Sequence, residues 1–194
     1  MKILYLYYNQ PTAVEKLFKL GYDKLDVIFI DDGSKIPLIC DWATVYRIEK
    51  DIAWNQPQAN NLGFSKIPNE VVLRMDIDHY FTLDDIKKVS KIKPKEKEIV
   101  KFKRLYKGKR ISEGKNIYLA NVNDIVYIGG YNEIFCGNYG YEDGDLMLRM
   151  RKAGFTFTIS DILCRVDDLP TRGLNRDTTI NHRKFKQLHE NRKT

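Results

Sequence analysis

Two short acidic groups stand out among the residues of this 194-residue chain that could do chemistry. Asp31 and Asp32 follow one apolar run, and Asp76 and Asp78 follow another. Alternate side chains of an extended segment point to the same side, so the Asp76 and Asp78 carboxylates can converge on one hard cation, Mg²⁺ or Mn²⁺. Arg74 faces the same way as Asp76, and a salt bridge between these two residues is the structural alternative to a metal site.

A third acidic group lies in a segment that is rich in glycine and tyrosine. Glu142, Asp143 and Asp145 stand at the start of a predicted helix, where carboxylates oppose the positive end of the helix dipole. We assign that structural role to Asp145. Either of the other two carboxylates could be the general base for a hydroxyl nucleophile, and Tyr139 and Tyr141 could stack on the face of a sugar.

Alternating strands and helices must position these groups. Hydrophobic patterning predicts strands at residues 2–8, 26–30, 44–48 and 71–75, with helices starting at a Thr12–Glu15 capping box, at 56–64 and at 82–92. Beyond Pro94 it predicts strands at 99–106, 116–128 and 155–160, and helices at 142–153 and 181–189. The βαβ alternation predicts an α/β fold with a mainly parallel central sheet flanked by helices. Both acidic pairs fall at the carboxyl ends of strands, where such sheets bind ligands.

Length and composition are those of a globular protein. The chain fits one domain, with 43% hydrophobic and 30% charged residues. Its three cysteines (Cys40, Cys136 and Cys164) are odd in number and lack CxxC spacing, which indicates free thiols in a reducing compartment. No apolar run approaches the roughly 20 residues that span a bilayer. We therefore expect a soluble, cytoplasmic protein, or one that is peripheral at a membrane surface.

The net charge of +7 comes largely from lysines and arginines between Lys87 and Arg110, interrupted by Glu96 and Glu98. A solvated basic face is the simplest interpretation of this run. The same field would also attract anionic molecules such as nucleotide sugars, nucleic acids or acidic lipids. Charge alone does not choose among these partners.

Five segments, in order, resemble the GT-A glycosyltransferases, especially the family-2-like enzymes and the related galactosyltransferase carboxyl-terminal region. They are Tyr8-Asn9, Asp31-Asp32-Gly33-Ser34, residues 54–63 (WNQPQANNLG), Asp76-Ile77-Asp78, and the motifs GGYNE and GYEDGDL within residues 129–146. The resemblance implies a single Rossmann-like nucleotide-diphospho-sugar transferase domain over residues 1–194. Within it, residues 1–93 would bind the nucleotide sugar, residues 94–170 would form the acceptor and catalytic half, and residues 171–194 would be a basic tail.

The same resemblance implies a donor site for a UDP-sugar and a divalent cation, Mn²⁺ or Mg²⁺. Tyr8 would stack on the base, and Asp31 would hydrogen-bond the uracil or the ribose. Asp76 and Asp78 would serve the ribose and the metal, with Asp78 as the direct ligand. Asn60 would lie at the diphosphate, where the family often has arginine.

Catalysis by the resemblance would be a single displacement with inversion at the anomeric carbon. Asp143, or failing that Glu142, would deprotonate a hydroxyl of a carbohydrate acceptor. Besides Asn60, two features depart from the family: Tyr139 and Tyr141 replace tryptophans, and the family's later metal-binding histidine is missing. Asp168, His182 or water would complete the metal site instead.

Three other functions compete with this interpretation. A sugar nucleotidyltransferase would carry a glycine-rich phosphate loop after the first strand, but the chain has no glycine before Gly21. A basic nucleic-acid-binding protein would leave the acidic groups at the strand ends unexplained, so we set nucleic acid aside as a partner. An inactive domain that binds the donor is compatible with Asn60 and the missing histidine. The chain is also compatible with being one domain of a longer, multi-domain transferase.

Overall fold

The computed structural model describes residues 1–167, 169 and 175–190. Its strands are β1 Lys2–Tyr7, β2 Val27–Asp32, β3 Thr44–Ile48, β4 Val71–Asp76, β5 His79–Tyr80, β6 Glu98–Tyr106, β7 Lys109–Ile111, β8 Tyr118–Asn121 and β9 Thr156–Val166. Its α-helices are α1 Pro11–Lys19, α2 Gln56–Ser65, α3 Leu83–Val89, α4 Val122–Tyr127, α5 Glu142–Lys152 and α6 Thr179–His189. Single 3₁₀ turns occupy Tyr22–Lys24 and Glu133–Phe135.

The strands form one sheet in the order β3-β2-β1-β4-β8-β6-β9-β5, with β7 beside β6. The first four strands of this order run parallel, which places the carboxyl ends of β1, β2 and β4 at one edge. β6 and β9 are also parallel, whereas β8 runs antiparallel to both of its neighbours, β4 and β6. The α/β fold class predicted from the sequence is therefore confirmed, and each antiparallel pair includes a strand from the second half of the chain.

Hydrophobic side chains cover both faces of the sheet. Alternate residues of β1 point to opposite faces, so Ile3 and Tyr5 belong to one buried cluster and Leu4 and Leu6 to the other. Helices α1 and α3 cover the first face, and helices α2, α4 and α5 cover the second. A strand buried on both faces reads as a continuous apolar run, which is why β1, β2 and β4 were predictable from the sequence.

Local differences from the predicted elements have identifiable causes. Helix α1 begins at Pro11 rather than at a Thr12 capping box, and its N-cap residue Gln10 makes no side-chain cap. Proline suits the first helical position because its φ angle is already helical and its missing N–H needs no partner there. The predicted strand at residues 116–128 is wrong in its second half, because β8 ends at Asn121 and α4 follows. Val122 and Ile125 are both buried, at helical spacing.

The described residues also show the state of the cysteines and the character of the helices. All three cysteines are free, and Cys164 is buried. No helix within the described ranges is long and apolar enough to cross a membrane.

Candidate functional site

The candidate site lies where the strand order of the sheet reverses. From β1 the chain proceeds to β2 and β3 on one side and then crosses to β4 on the other. β1 and β4 are parallel neighbours, with Leu6 paired to Asp76, so Tyr8 and Asp76 both lie at the same edge of the sheet. A crevice forms at such a switch point because the connecting segments leave in opposite directions. This topology brings together groups that are 68 residues apart in the chain.

A candidate metal group, three side chains that could together hold a metal ion, lies at this edge. Among the described residues, the ligand atoms of Asp76, Asp78 and His79 all lie within 4.8 Å of one another. His79 Nδ1 is 2.5 Å from Asp78 Oδ1, and His79 Nε2 is buried without a hydrogen-bond partner. Two carboxylates and an imidazole are an acceptable donor set for Mn²⁺, and the carboxylates alone suit Mg²⁺. The residues present therefore fit a divalent cation.

His79 is the ligand candidate that sequence reasoning missed. Its signal was its position directly after Asp78. The alternatives named for that role lie elsewhere or outside the described residues: His182 stacks on Tyr141, with ring centroids 5.0 Å apart and planes 9° apart, and Asp168 is not among the residues that the structure describes. The helix that carries His182, α6, thus contacts the segment before α5 instead of the metal group.

The predicted salt bridge between Arg74 and Asp76 is present beside the carboxylate pair. Arg74 is fully buried, and its Nη1 lies 2.8 Å from Asp76 Oδ1. The other carboxylate oxygen of Asp76 accepts a hydrogen bond from the Asn116 side chain. Burial raises the pKa of the Asp76 carboxyl, and the Arg74 guanidinium opposes that rise. The ion pair and the metal group therefore share Asp76.

Asn60 lies behind Arg74 rather than at an open surface. It is fully buried on α2, its amide nitrogen donates to the Gln56 carbonyl at 2.9 Å, and its oxygen accepts from Arg74 Nε at 2.8 Å. The direct diphosphate contact predicted for this position would need this pair to open.

The end of the site beside β2 combines a half-buried tyrosine, Tyr8, with a buried carboxylate, Asp31. Tyr8 donates from its hydroxyl to Asp51 at 3.2 Å. Asp31 has no exposed surface. Its carboxylate accepts hydrogen bonds from the Ser34 and Leu38 amides at 3.0 Å and from Arg47 Nη1 at 2.5 Å. Burial alone would raise the pKa of Asp31, but these hydrogen bonds lower it below its ordinary value. Asp31 thereby holds the loop after β2 in place.

The two candidate bases differ in solvent access. Asp143 is half-buried and accepts a hydrogen bond from the Tyr131 hydroxyl at 2.8 Å. Glu142 is only 4% exposed, and its Oε2 is buried without a hydrogen-bond partner. Burial, followed by the neighbouring Asp143 charge, raises the pKa of Glu142 to about 7. Asp143 is therefore the carboxylate that a substrate can reach.

Aromatic residues flank the candidate bases. The Trp54 ring lies 4.4 Å from the Tyr139 ring, and the Trp54 indole nitrogen is buried without a hydrogen-bond partner. Trp54 and Tyr141 have φ angles of 49° and 72°, a left-handed conformation that is costly for bulky side chains. Backbone strain of this kind concentrates at functional sites. Trp54 was predicted only as part of a matching segment, and its contact with Tyr139 spans too much sequence to be foreseen.

Asp145 has the structural role expected of it. It is fully buried, its Oδ2 lies 2.7 Å from Arg149 Nε on the next turn of α5, and its Oδ1 lies 2.7 Å from His189 Nε2 on α6. Arg149 also donates to the carbonyl oxygens of Ile128 and Gly130. Asp145 thus ties α5 to α6 and to the segment before it.

Comparisons with known proteins agree with this geometry. A sequence model described as glycosyltransferase like family 2 matches residues 8–108, just over half of the chain. No curated protein sequence shows significant similarity to the chain. The matched segment contains Tyr8, Asp31, Asn60, Asp76 and Asp78.

Several solved structures share the fold. The mannosyltransferase PcManGT from Pyrobaculum calidifontis, in complex with GDP-Man and Mn²⁺, is 14% identical with a TM-score of 0.61, covering 96% of this chain and 61% of its own. GalNAc-T7 with UDP, GalNAc and Mn²⁺ is 11% identical with a TM-score of 0.62, covering 85% and 43%. A Drosophila β-1,4-galactosyltransferase 7 mutant with manganese, UDP-Gal and xylobiose is 16% identical with a TM-score of 0.56, covering 99% and 79%.

This chain accordingly spans about three fifths of the first of these proteins and two fifths of the second. At these identities the likeness establishes the fold alone, whereas the sequence model establishes the family. The chain belongs to the glycosyltransferase-like family 2 and has the fold of the GT-A glycosyltransferases.

Proposed function

We propose that this protein transfers a sugar from a nucleotide-diphosphate sugar to a hydroxyl of a carbohydrate acceptor. A UDP-sugar is the first candidate for the donor, and the reaction would require a divalent cation. One observation carries the proposal: the group of Asp76, Asp78 and His79 lies at the switch point of the sheet, in a family-2-like GT-A fold. The three solved structures named above contain Mn²⁺ and, by their names, GDP-Man, UDP or UDP-Gal.

Buried polar atoms without partners support a ligand site at this place. His79 Nε2, Trp54 Nε1 and Glu142 Oε2 are all buried and lack a well-aligned hydrogen bond within the described chain, although the Trp54 indole lies near enough to Glu142 to lower the pKa of that carboxyl. Asp76 Oδ1 is also buried and contacts Arg74 as an ion pair alone. Such atoms are rare in folded proteins because each costs the free energy of its lost hydration. These four belong to the metal group, the candidate base pair and the aromatic pair. A polar substrate could satisfy them.

The donor would lie along the ends of β1 and β4. In this proposal Tyr8 stacks on the base, and Asp31 holds the adjoining loop or, after a rearrangement, contacts the uracil or ribose. Asp76 accepts from the ribose, while Asn60 acts through Arg74. Asp78 holds the divalent cation, either Mn²⁺ or Mg²⁺. When bound, the cation stabilises the negative charge of the departing diphosphate.

Asp143 is the proposed general base. Its half-buried carboxylate takes the proton of the acceptor hydroxyl, which attacks the anomeric carbon from the side opposite the diphosphate and so inverts its configuration. The Tyr131 hydroxyl orients Asp143 through their 2.8 Å hydrogen bond. Glu142 is buried and protonated up to about pH 7, so it would not remove the proton of the acceptor. Trp54 and Tyr139 would stack on the acceptor sugar.

These roles assign donor binding and acceptor binding to different parts of the chain. Residues 1–93 would bind the donor and residues 94–170 the acceptor, and helix α6, within the basic segment 171–194, would hold the segment before α5. A longer protein that contains this domain would be consistent with the partial coverage of the solved structures.

A thermal-shift experiment tests the donor site. We expect UDP with Mn²⁺ to raise the melting temperature, since ligands that bind only the folded state stabilise it. Asp78→Ala should remove the rise. Asp84→Ala, at an exposed position on α3, should keep it. GDP- and TDP-sugars in the same panel would identify the preferred nucleotide, and a protein that no nucleotide stabilises would refute the proposed function.

A further inference from the structure

Arg74 is an unusual residue for a central strand of a sheet, where apolar side chains predominate. It is fully buried on β4, two residues before Asp76, and a buried guanidinium is costly unless it is paired and hydrogen-bonded. Its Nε donates to Asn60 at 2.8 Å and its Nη1 to the Asn116 carbonyl at 2.5 Å, in addition to the 2.8 Å ion pair with Asp76. These contacts fix its position.

Asp76 is engaged through both of its carboxylate oxygens. Oδ1 faces Arg74 Nη1 as an ion pair without a hydrogen bond, and Oδ2 accepts from the Asn116 side chain. Asp78 differs, because its side chain is 33% exposed and, among the residues that the structure describes, only its Oδ1 has a partner, which is His79. The two carboxylates of the metal group are thus unequal, and Asp78 is the one with a free oxygen.

Resting on the proposed function, we propose that Arg74 is a positioning residue that neutralises Asp76 and thereby makes binding of the divalent cation depend on the donor diphosphate. Two carboxylates and one guanidinium leave the group with a single negative charge. A diphosphate adds further negative charge at the same place, so the cation binds firmly when both are present.

Asn60 is the partner that makes this arrangement possible. Its small amide accepts from Arg74 Nε and leaves room for the guanidinium between α2 and β4. An arginine at position 60, which the resemblance leads one to expect, would bring a second positive charge against the first. Compared with an arginine at position 60 of α2, the Asn60–Arg74 pair places the positive charge on β4, behind Asp76.

The test measures Mn²⁺ binding by electron paramagnetic resonance of the free ion, with and without UDP. We expect wild-type protein to bind Mn²⁺ weakly alone and at least about tenfold more tightly with UDP. Arg74→Met removes the neutralising charge, so Mn²⁺ alone should bind about tenfold more tightly and the enhancement by UDP should shrink. Arg74→Lys keeps a positive charge and should restore wild-type behaviour.

A double variant protects the test against a folding failure. Removing both members of a buried ion pair disturbs a protein less than removing one, so Asp76→Asn combined with Arg74→Met should fold, as circular dichroism would check. It carries the same net charge as the wild type and should bind Mn²⁺ with wild-type affinity. Asp78→Asn, in contrast, should lose the binding.

Two results would overturn the inference while the proposed function stands. One is UDP-enhanced Mn²⁺ binding in the wild type with no tightening in folded Arg74→Met. The other is loss of Mn²⁺ binding in the double variant to the extent seen in Asp78→Asn, which would make Asp76 a required ligand. A wild-type protein whose Mn²⁺ affinity is unaffected by every nucleoside diphosphate would refute the proposed function itself.

Discussion

Glu142 and Asp143 are adjacent in the chain, yet their environments give them different chemistry. Glu142 turns into the protein at the first turn of α5, whereas Asp143 remains accessible and is oriented by Tyr131. A general base has to reach the proton that it removes, and solvent access is the property that separates the two. At the scale of single residues, the catalytic assignment therefore depends on burial more than on residue type.

We predict that Asp143→Asn retains the stabilisation by UDP and Mn²⁺ but loses transfer. Loss of a general base typically lowers the rate about 10²- to 10⁴-fold. The measurement is release of UDP from UDP-sugars in the presence of simple sugar acceptors. Glu133→Gln, at an exposed position, serves as the control. Near-wild-type transfer by Asp143→Asn would exclude Asp143 as the base, and donor binding without transfer in the wild type would favour an inactive donor-binding domain.

The acidic residues of the site were predictable from the sequence, but their partners were not. Asp76 and Asp78 stand out because two carboxylates follow a buried apolar strand. The hydrogen bond from Tyr131 to Asp143 and the Asn116 contact with Asp76 depend on how β8 and α5 lie against β4. Such contacts are set by tertiary packing, which periodicity does not encode. Arg74 was recognisable as a partner of Asp76 because the two share one side of a strand.

At the scale of elements, α6 fixes the segment that leads into α5. The Asn181 amide nitrogen lies 3.0 Å or less from the carbonyl oxygens of Phe135, Asn138 and Gly140. Asn181 is fully buried, so water would not replace these contacts if they were lost. One side chain thus holds the strained turn at Tyr141 from the far end of the chain.

Asn181→Ala should therefore destabilise the protein by about 2–3 kcal/mol, because buried carbonyl oxygens would lose their donor. Urea denaturation would measure the change. The matched control is Gln187→Ala, which removes an exposed amide from the same helix and should cost less than about 0.5 kcal/mol. Equal stability of the two variants would mean that α6 does not anchor the segment.

Two helical glycines should respond to alanine in opposite directions. A Cβ at Gly63 of α2 would lie 2.7 Å from the buried Leu4 side chain of β1, so Gly63→Ala should destabilise the protein by about 1–3 kcal/mol. A Cβ at Gly144 of α5 would meet only Lys115 Nζ, at 3.9 Å, and Gly144→Ala should stabilise by about 0.5–1 kcal/mol. Thermal melts of both variants check the signs, and a shared sign would contradict the close packing of α2 on β1.

The secondary structure was predicted correctly where the sequence pattern favours a strand or a helix alone, and wrongly where both patterns are present. The boundaries of β3 match those expected because β-branched and aromatic residues dominate its five positions. At residues 116–128, branched side chains favoured a strand throughout, but α4 buries Val122 and Ile125 on one helical face. β5 has two residues and exists only because β9 lies beside it, so no local signal could have found it.

At the scale of the whole molecule, stability should depend on pH through Glu142. Its pKa is about 7 in the folded state against 4.5 ordinarily, so between these values the folded protein binds the additional proton. Stability therefore falls as pH rises from about 4.5 to about 7, and the total loss above pH 7 is about 3 kcal/mol.

Glu142→Gln should remove this dependence. The variant should be more stable than wild type at pH 8 by up to about 3 kcal/mol, with the difference much smaller near pH 5. Urea denaturation at both pH values measures it. Glu15→Gln, an exposed change on α1, should show no such pH-dependent gain. If Glu142→Gln were more stable than wild type by the same amount at both pH values, protonation of Glu142 would not be the cause of the gain.

The pairing of β5 with β9 has a consequence for biosynthesis. His79 pairs with Val166, and the backbone oxygen of Asp78 accepts from the Asp167 amide at 2.8 Å. During synthesis, β1 to β4 would leave the ribosome well before β9, the strand that pairs with the candidate ligand His79. Chains arrested before residue 156 should therefore form the parallel half of the sheet without capturing Mn²⁺. Competence to bind the donor would therefore arise only after β9 has been made.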